Sequence, residues 1–269
     1  MAYVSKDDLA AIFQDTQNFY KTDEMLKKSI QASIDGTKFY DAKDYPPLPE
    51  KIFDATKISV TKGRTFETAI NLRGKNLDAK IAVHNFASAT NPGGGVVNGS
   101  RAQEEALCRC STLYPVLDTD ENWKRYYNFH RRRKDSIYTD ACIFTPNIVI
   151  CKSDVDLPQR LAPENFVTVD VITCAAPNLR FTRLNDAELL QLHEQRARHM
   201  LTILARHGVE IFVTGAFGCG AFKNNPAVVA QAYKNILPEF EGYFKEIVFA
   251  IYCTPRETIN FDAFNKILR

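Results

Sequence analysis

The part of this 269-residue chain richest in chemistry is Asn85-Phe86-Ala87-Ser88-Ala89-Thr90-Asn91-Pro92-Gly93-Gly94-Gly95-Val96-Val97-Asn98-Gly99-Ser100-Arg101-Ala102-Gln103-Glu104-Glu105. Three consecutive glycines cost backbone entropy, so a loop keeps them where it needs positive φ or a ligand against bare N–H groups. Such N–H groups beside a helix start attract phosphate, although a tight strand-to-helix turn would use the same residues. Gln103-Glu104-Glu105 then sets two adjacent carboxylates in a first helical turn, where the helix dipole favours them. They read either as helix capping on a solvated face or as a pair able to handle protons. A second loop, Val213-Thr214-Gly215-Ala216-Phe217-Gly218-Cys219-Gly220-Ala221-Phe222-Lys223-Asn224-Asn225-Pro226, repeats the pattern of strand, glycines and helix, with Pro226 suited to a first helical position. Two such loops form two walls of one crevice, a shape suited to a diphosphate. Phe217 and Phe222 pack on a ribose or base, or else in the core. Cys219 lacks a visible His–acid partnership and reads as a small side chain in a crowded turn, not as a nucleophile. Neither the P-loop lysine pattern nor the dinucleotide G-x-G-x-x-G spacing fits.

The elements that must hold these loops alternate between strand and helix. Ser5 with Asp8 resembles a capping box, followed by Leu9, Ile12 and Phe13 at helical spacing. Thr22 is expected to cap a second helix that carries Met25, Leu26, Ile30 and Ile34 and ends at Gly36 as a left-handed cap. Tyr45-Pro46-Pro47-Leu48-Pro49 breaks the pattern and marks a boundary between a helical extension, 1–50, and a domain spanning 51–269. Strands are expected at Lys57–Val60, Ile81–Phe86, Phe166–Ile172, Glu210–Thr214 and Glu246–Tyr252. Helices are expected at Phe66–Leu72, closed by Gly74, at Glu104–Leu113, from the cap Asn185 with Glu188 to His207, stopped by Gly208, and from Pro226. This alternation predicts an α/β fold with helices on both faces of a sheet. Ligands of such folds sit outside the carboxyl ends of the strands, where both glycine loops fall.

The chain is 45% hydrophobic with 34 basic and 32 acidic side chains, which excludes a disordered polyelectrolyte and gives no bulk charge for ordinary DNA or RNA. No apolar run approaches the ~18–20 residues that span a bilayer, and the first residues lack a signal-peptide pattern. Seven cysteines, Cys108, Cys110, Cys142, Cys151, Cys174, Cys219 and Cys253, show no zinc-type spacing, and several sit in apolar runs. Buried free thiols in a reducing compartment, cytoplasmic or nuclear, are the expectation, with no metal and no cofactor.

Gly93-Gly94-Gly95 followed after seven residues by Gln103-Glu104-Glu105 resembles the signature of the poly(ADP-ribose) glycohydrolases, in particular their bacterial-type (microbial) branch. Asn85–Ala89 leading into Asn91–Gly95, Tyr138-Thr139-Asp140, Asp170–Asn178, and Gly218–Phe222 with Asn225-Pro226 are similar to that branch as well. The resemblance implies a macrodomain-like three-layer α/β/α fold with a mixed central sheet. It implies that Glu105 is the catalytic acid/base and that Glu104 orients a ribose. Asn85 or Asn91 would help position that ribose. Gly93, Gly94 and Gly95 with Val96 and the loop to Gly99, and Gly218, Cys219, Gly220, Ala221 and Phe222, would hold the diphosphate, with Phe222 against the terminal ribose and Gln103 beside the carboxylates. Cleavage of a ribose–ribose bond develops oxocarbenium character and needs a proton on the leaving oxygen. A carboxyl beside a second carboxylate, partly desolvated, has a raised pKa and can hold that proton. The implied substrate is poly(ADP-ribose), the implied partners are ADP-ribose as released product and ADP-ribosylated proteins, and the implied enzyme is a monomer in the reversal of ADP-ribosylation that follows DNA damage. Two departures stand out: Ala216-Phe217 replaces an expected tryptophan, and no adenine pocket is evident. His130-Arg131-Arg132-Arg133-Lys134 reads as a solvated helix face or as a contact for polymer phosphates. A non-catalytic ADP-ribose reader and a Cys219-dependent thiol enzyme or unrelated nucleotide hydrolase are the competing functions.

Overall fold

A computed structural model describes residues 4–255 and 257–269. Seven strands build one mixed sheet: β1 (Lys38–Tyr40), β2 (Lys57–Lys62), β3 (Ile81–Phe86), β4 (Cys142–Ile150), β5 (Val167–Cys174), β6 (Ile211–Thr214) and β7 (Glu246–Ile251). Their order is β1-β4-β5-β3-β6-β7-β2. The five strands from β5 to β2 run parallel, and β4 runs antiparallel to both β5 and β1.

The helices are α1 (Lys6–Thr22), α2 (Glu24–Gly36), α3 (Thr65–Arg73), α4 (Gln103–Cys110), α5 (Leu113–Leu117), α6 (Asp120–Asn122), a π-helical turn Trp123–Tyr127, α7 (Asn128–Arg133), α8 (Asp186–Arg206), α9 (Pro226–Ile236) and α10 (Ile259–Leu268). They cover both faces of the sheet. Period-two alternation along each strand divides its side chains between two cores. Ile81 and Val83 of β3 join Phe13, Phe66, Leu107 and Val116 on one face. Ala82 joins Met200, Leu204, Tyr233 and Phe264, with Phe249 of β7, on the other. The result is the expected three-layer α/β/α arrangement.

Local chemistry explains most boundaries. Ser5 and Asp8 form the capping box of α1, and Asn185 with Glu188 forms that of α8. Asn225 caps α9 with Pro226 at its first position. Three expectations shift. Asp23, not Thr22, caps α2, because the Thr22 hydroxyl donates back to Asn18 and Phe19 within α1. Gly36 closes α2 without a positive φ; it is small because a Cβ there would lie 2.6 Å from Pro146 Cγ. The helix expected over Glu104–Leu113 breaks at Ser111, whose extended backbone separates α4 from α5.

The first 50 residues are built into this body. The strand β1 pairs with β4, and the Lys152 ammonium, 1% exposed, reaches Asp15 of α1 at 2.7 Å and the Ile12 carbonyl at 3.0 Å. Arg101 donates to the Val4 carbonyl, and a Cβ on Gly99 would strike the Lys6 carbonyl at 2.0 Å. The start of α1 therefore braces the first glycine loop.

Candidate active site

Both glutamates sit at the head of α4, over the carboxyl end of β3. Gln103 fixes that placement. Its amide donates to the His84 carbonyl at 2.6 Å and to Thr65 Oγ1 at 3.1 Å, while its oxygen accepts from the Phe86 N–H at 2.9 Å. Three elements, β3, α3 and α4, are thereby locked around one side chain.

Glu104 is 2% exposed. Its Oε2 accepts from the Ser88 N–H at 2.7 Å and its Oε1 from Asn85 Nδ2 at 3.2 Å, with the Gly93 N–H also donating to it. Burial outweighs these bonds and, helped by the charge of Glu105, pushes the Glu104 carboxyl up to about 8. Glu105 Oε1 accepts from the Gly95 N–H at 2.9 Å, while its Oε2 is buried without a hydrogen-bond partner among the described residues. That unpartnered oxygen belongs to a residue lining the crevice.

The two glycine loops divide their labour. In the first, the N–H groups of Gly94, Val96, Asn98, Gly99 and Ser100 all bond to carbonyls of the loop itself, and those of Gly93 and Gly95 bond to the glutamates. Positive φ at Gly93 (66°) and Gly94 (58°) makes this winding possible. A Cβ on Gly94 would lie 2.5 Å from Glu105 Oε1 and 3.2 Å from Glu104 Oε2. This loop spends its donors on its own winding and, through Gly93 and Gly95, on holding the carboxylates.

The second loop is the donor-rich one. Among the described residues the N–H groups of Gly218, Gly220, Ala221 and Phe222 bond to no acceptor. A Cβ on Gly220 would meet nothing within 4 Å, so packing does not explain that glycine. The loop is held from behind by Asn224, which is buried. Its amide donates to the carbonyls of Pro177 (2.8 Å), Gly218 (3.1 Å) and Phe222 (3.3 Å), and its oxygen pairs with His193 Nε2 at 2.8 Å.

The sequence-derived residues fall at different depths. Gln103, Glu104, Glu105, Asn91, Gly94, Gly95, Gly218, Cys219, Gly220, Ala221 and Phe222 all line one cavity of about 1460 Å3. Asn85 lies fully buried behind Glu104, bridging it to Thr173 Oγ1 at 3.3 Å; Val96 is buried in the core, and Gly93 lies against Tyr114. Asn91 receives Arg131 Nη2 at 2.5 Å, and Arg131 Nε donates to the Thr90 carbonyl at 2.8 Å. The basic run is thus partly inward: His130 is buried against Thr139, and Arg131 braces the loop while stacking on Trp123. Phe217 is core, 1% exposed between His84, Phe86 and His193, whereas Phe222 is half-buried at the crevice. Burial pushes the Cys219 thiol well up, which disfavours a thiolate nucleophile. Among the described residues no three His, Cys, Asp or Glu side chains gather as a metal site.

Ser88, Asn224, Tyr138 and the wall formed by Arg64 and Tyr252 are residues to which the sequence assigns no individual role. Arg64 lies over the Tyr252 ring at 4.5 Å and pairs with Asp156, while Asp154 accepts from the Phe66 N–H at 3.1 Å at the head of α3. Tyr138, with φ 62°, is carried by a segment that Arg196 of α8 ties down through Asp140 Oδ1 (2.9 Å) and the carbonyls of Ala175 (2.8 Å) and Ile137 (2.5 Å). Asn224 had a signal, its place between a glycine turn and the Asn225-Pro226 cap. The others join the crevice through long-range packing.

The family model of the microbial-type PARG catalytic domain matches residues 9–153. Among solved structures, the poly(ADP-ribose) glycohydrolase of Thermomonospora curvata is 30% identical, with a TM-score of 0.86 over 96% of this chain and 98% of that one. The same enzyme bound to the inhibitor ADP-HPD matches over the same shares at 30% identity and a TM-score of 0.84. The poly(ADP-ribose) glycohydrolase of Deinococcus radiodurans in complex with ADP-ribose is 33% identical, with a TM-score of 0.80 over 89% of this chain and 97% of that one. No curated protein matches the chain.

Proposed function

We propose, for a chain that belongs to the microbial-type poly(ADP-ribose) glycohydrolase family, that it hydrolyses the ribose–ribose O-glycosidic bonds of poly(ADP-ribose) and releases ADP-ribose. The observation that carries this reading is the carboxylate pair around Gly94, with Glu105 lining the crevice and its buried Oε2 unpartnered, and Glu104 held by three donors. Burial raises the neighbouring Glu104 carboxyl to about 8, which limits the negative charge beside Glu105 at neutral pH. Acting as the acid, Glu105 gives a proton from Oε2 to the leaving ribose oxygen as the C1–O bond breaks. The resulting carboxylate then takes a proton from the water that attacks C1, which restores the starting state.

Glu104 orients the sugar, and Asn85, Ser88 and Gln103 keep both carboxyls in place. The diphosphate lies on the free N–H groups of Gly218, Gly220, Ala221 and Phe222, which supply donors without a fixed positive charge. The terminal ribose rests against Phe222 with Asn91 at its rim. Polymer on ADP-ribosylated proteins is the natural substrate. The seven unpaired cysteines, five of them buried, favour a reducing compartment.

Glu105→Gln tests the assignment. Turnover of poly(ADP-ribose) is expected to vanish while calorimetry still detects ADP-ribose. Undiminished turnover in that variant overturns the role of Glu105. A wild-type protein that binds ADP-ribose and leaves polymer intact would instead be a reader.

A further inference from the structure

Sheet order gives the crevice a direction. The carboxylates lie over the ends of β3 and β5, since Asn85 and Ser88 bond to Glu104 and Asn85 also bonds to Thr173 of β5. The loop with free N–H groups follows β6, and Tyr252 and Arg64 follow β7 and β2. The arm from β3 to β2 crosses three strand spacings, about 14 Å, and takes the diphosphate and what lies beyond it. On the reading above, the group bonded to C1 across the scissile bond leaves away from that arm, on the side where the loop after β5 meets the rim of the second glycine loop.

That exit carries a feature with no role in holding the fold. Phe181 is 74% exposed and lines the crevice, on a loop that continues from β5. The loop is anchored: Leu179 N–H donates to the Phe222 carbonyl at 3.0 Å, Asn178 N–H to the Ser136 carbonyl at 2.7 Å, and Arg180 N–H to Asn178 Oδ1 at 3.3 Å. Arg180 lies 5.6 Å from the Phe181 ring centre, and Arg180, Arg183 and Lys223 are all exposed. An exposed aromatic ring with a guanidinium beside it, and with Arg183 on the same loop and Lys223 next to the Phe222 that anchors it, matches a nucleotide: stacking for the base and charge for its phosphates.

We propose that Phe181, with Arg180, Arg183 and Lys223, forms a subsite for the ADP-ribose unit on the leaving side of the scissile bond. The proposal rests on the glycohydrolase reading above and deepens it. The unit's adenine stacks on the outer face of Phe181, and its diphosphate lies over the cations. Such a subsite lets the enzyme prefer polymer over a single ADP-ribosyl group carried on something else.

The test compares two substrates of one wild-type enzyme: an ADP-ribose dimer, and ADP-ribose bearing 4-nitrophenol at the scissile C1, which has no second unit. Phe181→Ala is expected to raise KM for the dimer about tenfold, the loss of one base stack, and to leave kcat/KM for the nitrophenyl compound at its wild-type value. Arg180→Ala with Arg183→Ala is expected to flatten the salt dependence of dimer turnover. Equal effects of Phe181→Ala on both substrates, or none on either, overturn the subsite while the glycohydrolase activity stands. A wild-type protein that cleaves neither substrate overturns the activity itself.

Discussion

Gly94 and Gly208 share a left-handed backbone, φ 58° and 68°, but only Gly94 touches chemistry. A Cβ on Gly208 would meet nothing within 4 Å, whereas one on Gly94 would lie 2.5 Å from Glu105 Oε1 and 3.2 Å from Glu104 Oε2. An alanine in this region costs about 1–2 kcal/mol of backbone strain at either position. For 269 residues that amounts to a fall in Tm of about 2–4 °C. Gly208→Ala should stop there, with wild-type turnover. Gly94→Ala must also push Glu105 Oε1 outward until the contact is tolerable, a displacement of about 1 Å that costs on the order of 100-fold in rate. Because the second loop is untouched, ADP-ribose affinity by calorimetry should fall much less than the rate. The paired measurement is Tm by calorimetry and kcat/KM on polymer for both variants. If Gly94→Ala loses no more activity than Gly208→Ala, the claim that the first loop exists to hold the carboxylates is wrong.

Further outcomes follow from the same contacts. Folding raises the Glu104 carboxyl from 4.5 to about 8, so its contribution to stability is full below the lower value and is lost as pH rises to the upper one. Wild-type Tm should carry that decline between pH 5 and 8 and Glu104→Gln should flatten it; the same decline in both proteins would contradict the raised Glu104 carboxyl. Asn224→Ala strips the second loop of three carbonyl contacts and leaves buried His193 without its partner. A loss of about 2–4 kcal/mol in denaturant titration and weaker ADP-ribose binding are expected, and unchanged affinity would show that the loop needs no clip. Cys219→Ala should retain at least half the wild-type rate, and abolition of turnover would revive a thiol mechanism.

Much of the architecture was legible because strongly patterned segments declare themselves. The capping boxes at Ser5 and Asn185, the β-branched run of β5 and the Asn225-Pro226 start of α9 each combine a local donor–acceptor match with hydrophobic period. The strand β1, only three residues long, is defined by its pairing with β4 and has no pattern of its own. The helix α10 is short, and its ring Phe264 acquires meaning only against Phe249 of β7. The site was legible to the same degree: two glycine loops and a Gln-Glu-Glu triplet announce a crevice with carboxylates.

Sequence alone determined the alternating α/β order, the two glycine turns at strand ends and the glutamate pair in a first helical turn, all consequences of contacts within a few residues. Tertiary structure decided which donors remain free. Both loops have bare N–H groups in sequence, yet the first uses them on its own carbonyls and on the glutamates, and the second leaves them open. It also decided that Asn85 faces Glu104 from behind, that burial raises Glu104, and that Arg64, Tyr252 and Phe181 share one crevice. Those outcomes depend on desolvation and on strand order across the sheet, which join residues far apart in the chain and leave no local trace.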